Sequence, residues 1–502
     1  MEQVKIKWSY EELATKTPVF CLSFAIVFAC IVAKMFFCTI TIDGANIGCE
    51  MVADYWNFGK DLLNGKELYK DLFDHKGAYL YFIYAFMVFL SSNNIWIVVL
   101  FETIIYALTV GAFYWYMKDV EISNKCSQNK IVALFPTSIF ALVYLLITPS
   151  VALVNTEGIS TLCFIIIWGI LKKSQKVTPK MFLTIGIILG ILFNFKITSI
   201  IPYIPLFAYA CVSHIRSSKD YKILLKSIGM GVVGFVAINI PFLIYMTIGN
   251  YWGDFLQIYE YACSESNSNS NIIQQIFFGC CILIAGILFI IRKNQKIGEL
   301  IIYLSSICFG ISVGSGFNYY LAFYITIIFL GLFQFKNTNK GLLILTLFLV
   351  FLYGANQIKH SISFKEAANT KNIAEQYGIT NENILYIWED MGYGAYSSES
   401  FVEPYQWVPS RAFYSDEFTE YYTQLTVERL KNKQFKYVYA PPLELLNQIN
   451  TEDYTTPSSN VLGNRNKKKN QKNMNKMYLE IVSYLKENYN IDEDYKYLYK
   501  AK

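Results

Sequence analysis

The chain has 502 residues, of which 54 % are hydrophobic and 16 % charged, and it carries a net charge of +5. A soluble domain holds about a quarter charged residues, so this composition excludes a wholly soluble protein. With no long basic or acidic tail, it also excludes the charge pattern of a nucleic-acid binder.

The shortage of charge is confined to one part of the chain. Residues 1–17 form a polar lead with Lys5, Lys7 and Lys16, apolar runs fill residues 18–355, and residues 356–502 resemble a globular domain in composition. A membrane-crossing helix needs about 20 apolar residues. Runs near that length lie at 18–42, 94–117, 131–148, 151–171, 180–195, 197–214, 223–247, 271–292, 297–313, 319–335 and 340–355. The first has no small-residue cleavage site after it, so it reads as a span and not as a removed signal. The run 78–92 is too short to cross and predicts a helix in the membrane interface.

Basic residues fall in alternate gaps: Lys118, Lys125 and Lys130; Lys172, Lys173 and Lys176; Arg216 and Lys219; Arg292, Lys293 and Lys296; Lys336 and Lys340. Such gaps face the cytoplasm, and they all do so only if 78–92 does not cross. The expected architecture is therefore a polytopic α-helical membrane protein with about eleven transmembrane helices. Its N-terminus is inside, and residues 356–502 lie outside.

The first outer loop, 43–92, concentrates chemistry. Asp43 follows the first run in Thr41-Ile42-Asp43-Gly44, at the depth of lipid phosphates. It reads either as a charge anchoring the helix end or as a general base acting on a lipid-borne substrate. Farther on, Tyr69 to Gly77 gathers Asp71, Asp74, His75 and Lys76 just before the short run. There an ammonium suits a phosphate and a carboxylate suits sugar hydroxyls; the alternative is a solvated loop of local ion pairs. His214 and His360 lie apart from this cluster and read as incidental.

Two later charges interrupt apolar sequence on the same outer side. Glu157 stands in Val154-Asn155-Thr156-Glu157-Gly158 and Lys196 in Asn194-Phe195-Lys196-Ile197. Such groups need a cavity or a partner, and for Lys196 that partner is a lipid phosphate or an internal acid. The turn Gly314 to Tyr320 ends in Tyr319 and Tyr320, which suit sugar stacking or an interfacial aromatic belt.

Most of the eleven cysteines sit in apolar runs as small apolar residues. Cys49 and Cys263 share the outer face, and their pairing is open. In the last segment, 384–388 and 437–440 predict strands, 417–431 and 477–488 predict helices, and together they predict a small α/β domain. Trp388, Glu389, Asp390, Tyr393 and Trp407 read as core or surface residues ahead of glycan contacts. The basic stretch 464–476 predicts a mobile loop.

Three features resemble the GT-C class of membrane glycosyltransferases. They are the acid after the first span (Asp43), the outer loop ending in Tyr69 to Gly77, and the Asn155-Thr156-Glu157 turn. The resemblance is to the family-39-like group that includes protein O-mannosyltransferases, aminoarabinose transferases and bacterial core galacturonosyl transferases. The chain departs from that group at Gly44 and Asn318, positions that bear on the metal requirement and the sugar. The resemblance implies a donor sugar on polyprenyl phosphate, a glycan, lipid or polymer acceptor, and a bacterial cytoplasmic membrane. It implies Asp43 as base, and His75, Lys76 or Lys196 as stabilisers of the phosphate charge. No cofactor is implied with certainty, and a divalent cation is left open. The competing classes are a transporter or flippase of a lipid-linked sugar and a non-catalytic scaffold of envelope assembly.

Overall fold

The computed structural model describes residues 16–36, 50–70, 76–92, 94–121, 129–148, 153–174, 176–263, 416–432, 435–440, 464–494 and 498–502. Residues 72, 74, 323, 326, 327, 330, 377, 378 and 384–386 are described as well. Asp43, Asp71, His75, Tyr319, Tyr320 and Cys49 lie outside the described residues, as do the runs at 271–292 and 340–355.

The described chain is mostly helical. Its membrane part comprises α1 (Thr17–Lys34), α2 (Glu50–Leu63), α3 (Ala78–Ser91), α4 (Ile97–Tyr116), α5 (Asn129–Ile147) and α6 (Thr156–Lys173). After these come α7 (Pro179–Phe193), α8 (Ile204–Ser218), α9 (Tyr221–Ile248) and α10 (Trp252–Cys263). Among the described residues, four stretches are long and apolar enough to cross a membrane: Thr17–Lys34, Ile97–Asp119, Ile197–Ile215 and Tyr221–Ile248. Shorter apolar helices cover Ala78–Ser91, Ile131–Leu146 and Pro179–Phe193. The chain is a membrane protein by this composition. The short run 78–92 forms one helix of 14 residues, about 21 Å at 1.5 Å per residue.

The run 197–214 is not one α-helix. Its first part is a 3₁₀ segment, Ile197–Tyr203, and the α-helix starts at Ile204. Pro202 and Pro205 supply no N–H to an α-helical ladder there, so the chain tightens before it regularises.

Glycines set the closest helix pairing. A Cβ on Gly186 would stand 2.0 Å from the Gly231 carbonyl oxygen, and one on Gly234 would stand 2.4 Å from that of Leu183. Gly186 and Gly190 are four apart on α7, so they line one stripe. Small residues spaced this way let two apolar helices approach backbone to backbone. A buried apolar cluster including Phe113, Phe140, Phe164, Trp168 and Tyr203 fills the bundle of α4 to α8. A second buried cluster joins α2, α3 and the loop between them to Val154, Phe195, Met246 and Phe255.

Toward the C-terminus, β1 (Ile384–Tyr386), α11 (Asp416–Asn432), β2 (Tyr437–Tyr439), α12 (Asn464–Asn488), β3 (Tyr489–Ile491) and β4 (Leu498–Ala501) follow. The strands form a four-stranded sheet in the order β1-β2-β4-β3. β1 pairs parallel with β2, and the other neighbours are antiparallel. The basic stretch 464–476 is helical, which corrects the loop expected there. Lysine is a good helix former, and α12 gains its anchorage from the buried Met477, Ile481 and Leu485 that follow. Asn473 also donates to Asp416 at 2.9 Å, tying α12 to α11.

Candidate functional site

The Asn-Thr-Glu turn is a helix cap. Asn155 is extended and its Oδ1 accepts from the N–H groups of Glu157 and Gly158, each at 3.0 Å, so α6 starts at Thr156. This places the Glu157 carboxylate in the first turn, where the helix dipole favours negative charge. Lys196, at the end of the α7 turn, reaches it with Nζ–Oε1 of 3.5 Å. Both side chains are mostly buried. Lys196 therefore meets the internal acid in this structure.

The Lys76–Gly77 end of the first outer loop docks beside that pair. The Gly77 N–H donates to the Phe195 carbonyl at 3.1 Å, and the Tyr79 N–H donates to the Asn194 carbonyl at 3.2 Å. Close approach requires the glycine, because a Cβ there would lie 1.9 Å from the Asn194 carbonyl oxygen. Tyr84 of α3 donates to the Val154 carbonyl at 3.0 Å, just before the Asn155 cap. Two sequence motifs far apart in the chain are thus stitched together by backbone hydrogen bonds.

Within the docked loop, Asp74 is fully buried and Lys76 Nζ stands 3.4 Å from its Oδ2. Lys76 also lies over the Tyr55 ring, 5.1 Å from its centroid, a cation–π contact. The Tyr69 hydroxyl donates to the Lys76 carbonyl at 2.8 Å. Burial, and then the nearby Asp74 charge, hold the Tyr69 and Tyr81 phenols well above their ordinary pKa. They stay neutral donors beside an acidic group.

Two polar groupings escaped the reading of the sequence. Lys34, in the last turn of α1, is fully buried, pairs with Glu102 of α4 at 3.4 Å and donates to the Thr148 carbonyl at 2.8 Å. The signal was present, since each is a lone charge within an apolar run, and such charges mark partners or pathways. The second grouping is on α2, where Trp56, Asn57, Lys60 and Asp61 are all buried. Burial pushes the Lys60 ammonium down to about 7, against the pull of Asp61. Helical spacing of i, i+3 and i+4 in the first loop was the signal for it.

The opposite end of the bundle carries a different set. Asp119 meets Lys118 at 3.2 Å and Lys173 at 3.6 Å. Glu157 and Lys173 lie at opposite ends of α6, about 24 Å apart at 1.5 Å per residue. His214 is buried, with Nδ1 accepting from the Val177 N–H at 3.3 Å and Nε2 facing the Asp220 carbonyl at 3.1 Å. It ties two interhelical connections, a structural role in place of an incidental one.

Of the residues singled out from the sequence, the structure brings together Asp74 with Lys76 and Glu157 with Lys196. Among the described residues, no three of His, Cys, Asp or Glu gather as metal ligands; Asp74 and Glu157 each face a lysine.

No curated protein matches the chain. Residues 75–245 match the family described as dolichyl-phosphate-mannose-protein mannosyltransferase, a stretch of about a third of the chain that starts inside the Asp-His-Lys-Gly run and includes Glu157 and Lys196. Over that stretch, this membrane protein is similar to the GT-C type glycosyltransferases, the class that its loop motif implied.

Proposed function

We propose that the chain transfers a monosaccharide from a polyprenyl-phosphate carrier to an acceptor hydroxyl outside the cytoplasmic membrane. The observation that carries this reading is the docking of the Lys76–Gly77 end of the first outer loop beside Glu157–Lys196, within a stretch similar to the dolichyl-phosphate-mannose-protein mannosyltransferase family. Lysines held at the end of the bundle opposite Asp119 and Lys173 suit the phosphate of a lipid donor. In this reading eleven helices cross the membrane, and the segment 356–502 faces the same outer side as an α/β domain.

The reaction is an inverting displacement. Asp43 takes the proton of the acceptor hydroxyl as its oxygen attacks the anomeric carbon. The bond from that carbon to the phosphate oxygen breaks, and polyprenyl phosphate leaves with the electron pair. Lys76, aided by His75 or Lys196, stabilises the charge that grows on the leaving phosphate. Asp71, Asp74, Glu157, Tyr319 and Tyr320 orient the sugar and the acceptor.

The test is transfer from radiolabelled polyprenyl-phosphate hexoses in membranes holding the full chain at matched expression. Wild type moves label to product, Asp43→Asn reduces the rate by about 10²–10⁴, and Lys76→Ala weakens donor use. Equal transfer by Asp43→Asn removes Asp43 from the chemistry. Carrier movement across the bilayer without any transfer replaces the transferase with a flippase.

A further inference from the structure

We propose that the buried polar side of α2, centred on Trp56 and Asn57, is a saccharide-binding subsite on the helix that Lys76 contacts through Tyr55. The inference rests on the transferase reading and adds to it the residues that hold the sugar ring.

Helix α2 has two unlike sides. Gly59 faces α3, where a Cβ would lie 2.7 Å from the Ala85 nitrogen, so that side is closed by backbone contact. Trp56, Asn57, Lys60 and Asp61 follow one another at steps of one, three and one around the helix, and share the adjoining side. Trp56 is 0 % and Asn57 2 % exposed. Among the described residues, the Trp56 Nε1 and both polar atoms of Asn57 have no hydrogen-bond partner.

Buried polar groups are almost always paired, and leaving them unpaired is destabilising. An orphaned indole N–H beside an orphaned amide calls for a ligand that accepts and donates within a few ångströms. A hydroxyl does both, and a pyranose ring presents several. Asp61, which faces Lys66 at 3.6 Å, and the buried Lys60 extend the same set.

The Lys76 contact lies on another side of the same helix. Tyr55 directly precedes Trp56, and its ring carries the Lys76 ammonium at 5.1 Å. Tyr55 packs edge-on against Tyr81 and Tyr84 of α3, so Lys76 meets α2 on the α3 side of the helix. The sugar can come from the lipid donor or from a glycan acceptor, and the same hydroxyl chemistry serves both.

The experiment follows thermal unfolding of the detergent-solubilised full chain. Ligands are short-chain polyprenyl-phosphate mannose, glucose and galactose, the same carrier phosphate without sugar, and free hexose disaccharides. In wild type, a sugar-bearing ligand protects more than the bare carrier does. Asn57→Leu abolishes that excess, keeps the protection by bare carrier, and without ligand unfolds at an equal or higher temperature, since an orphaned amide is gone. Trp56→Phe keeps the ring, loses one donor and weakens sugar-dependent binding by about tenfold. Excess protection by carrier-linked hexose assigns the subsite to the donor, and by disaccharides to the acceptor. A wild-type sugar preference retained in Asn57→Leu, or in Trp56→Phe if the first variant does not fold, overturns the subsite and leaves the transferase standing. No protection of wild type by any carrier, bare or sugar-bearing, overturns both.

Discussion

At Gly77 the backbone of the first outer loop and that of the α7 turn touch, and only a hydrogen atom fits between them. Gly77→Ala places a methyl group 1.9 Å from the Asn194 carbonyl oxygen, so one of the two backbones moves. Overpacking of this kind costs about 1–3 kcal/mol or more, and here it also pulls the Lys76 end of the loop from the Lys196 end of α7. The expected outcome is a lowered unfolding temperature of the purified protein together with loss of sugar transfer. A fully active and equally stable Gly77→Ala protein would contradict the docking. Lys60 makes a second prediction at this scale. Its pKa is about 7 folded and 10.5 in an ordinary lysine. Between those values the unfolded chain binds the proton and the folded chain does not, so stability rises with pH across that window. Below about pH 7 both states hold the proton, and the cost of burying it is present in full. Lys60→Met removes the cost, at most about 1.4 kcal/mol per pH unit. The variant is therefore more stable than wild type at pH 7, and its advantage shrinks toward pH 10. An advantage constant with pH in thermal unfolding would sink the assignment.

Among whole elements, the Lys34–Glu102 pair connects α1 with α4 and, through the Thr148 carbonyl, with the end of α5. Three helices end their apolar packing at one buried charge pair. Removing one partner of such a pair costs about 3–5 kcal/mol, because the other charge is left buried and alone, whereas removing both costs far less. Lys34→Met and Glu102→Gln are each expected to destabilise strongly, and the double variant to recover most of the loss. A double-mutant cycle on the solubilised protein checks this, and additive losses would show that the two charges act independently. The α7–α9 seam belongs to the same scale. Its stripe of Gly186 and Gly190 was visible as a spacing of four in an apolar run, but its partner on α9 was not, because nothing local in the sequence says which helix lies opposite.

For the molecule as a whole, the charge pattern predicts which gaps face the cytoplasm, and the run 78–92 decides the outcome. Alkaline phosphatase fused after Lys219 in a bacterial host is expected to be inactive, and fused after Lys502 to be active. The reverse pattern would mean that 78–92 crosses and that every later gap changes side. Lys118 and Lys173 meet Asp119 at one end of the bundle, while Glu157 and Lys196 meet at the other.

The sequence by itself determined the membrane class, the positions of most of the described helices and the two motif turns. These depend on local quantities, the length of an apolar run and the polar residues that interrupt it. Only the tertiary structure decided which charges meet. Lys196 had either a lipid phosphate or an internal acid open to it, and the fold supplied Glu157, 39 residues earlier in the chain. Lys34 and Glu102 were each a lone charge in an apolar run until α1 and α4 came into contact. The basic stretch at 464–476 was read as a loop because its composition lacks apolar residues, yet the packing of the residues after it holds it as a helix. Pairing of distant groups depends on which faces the packing turns toward each other, and that information is not carried by any one segment.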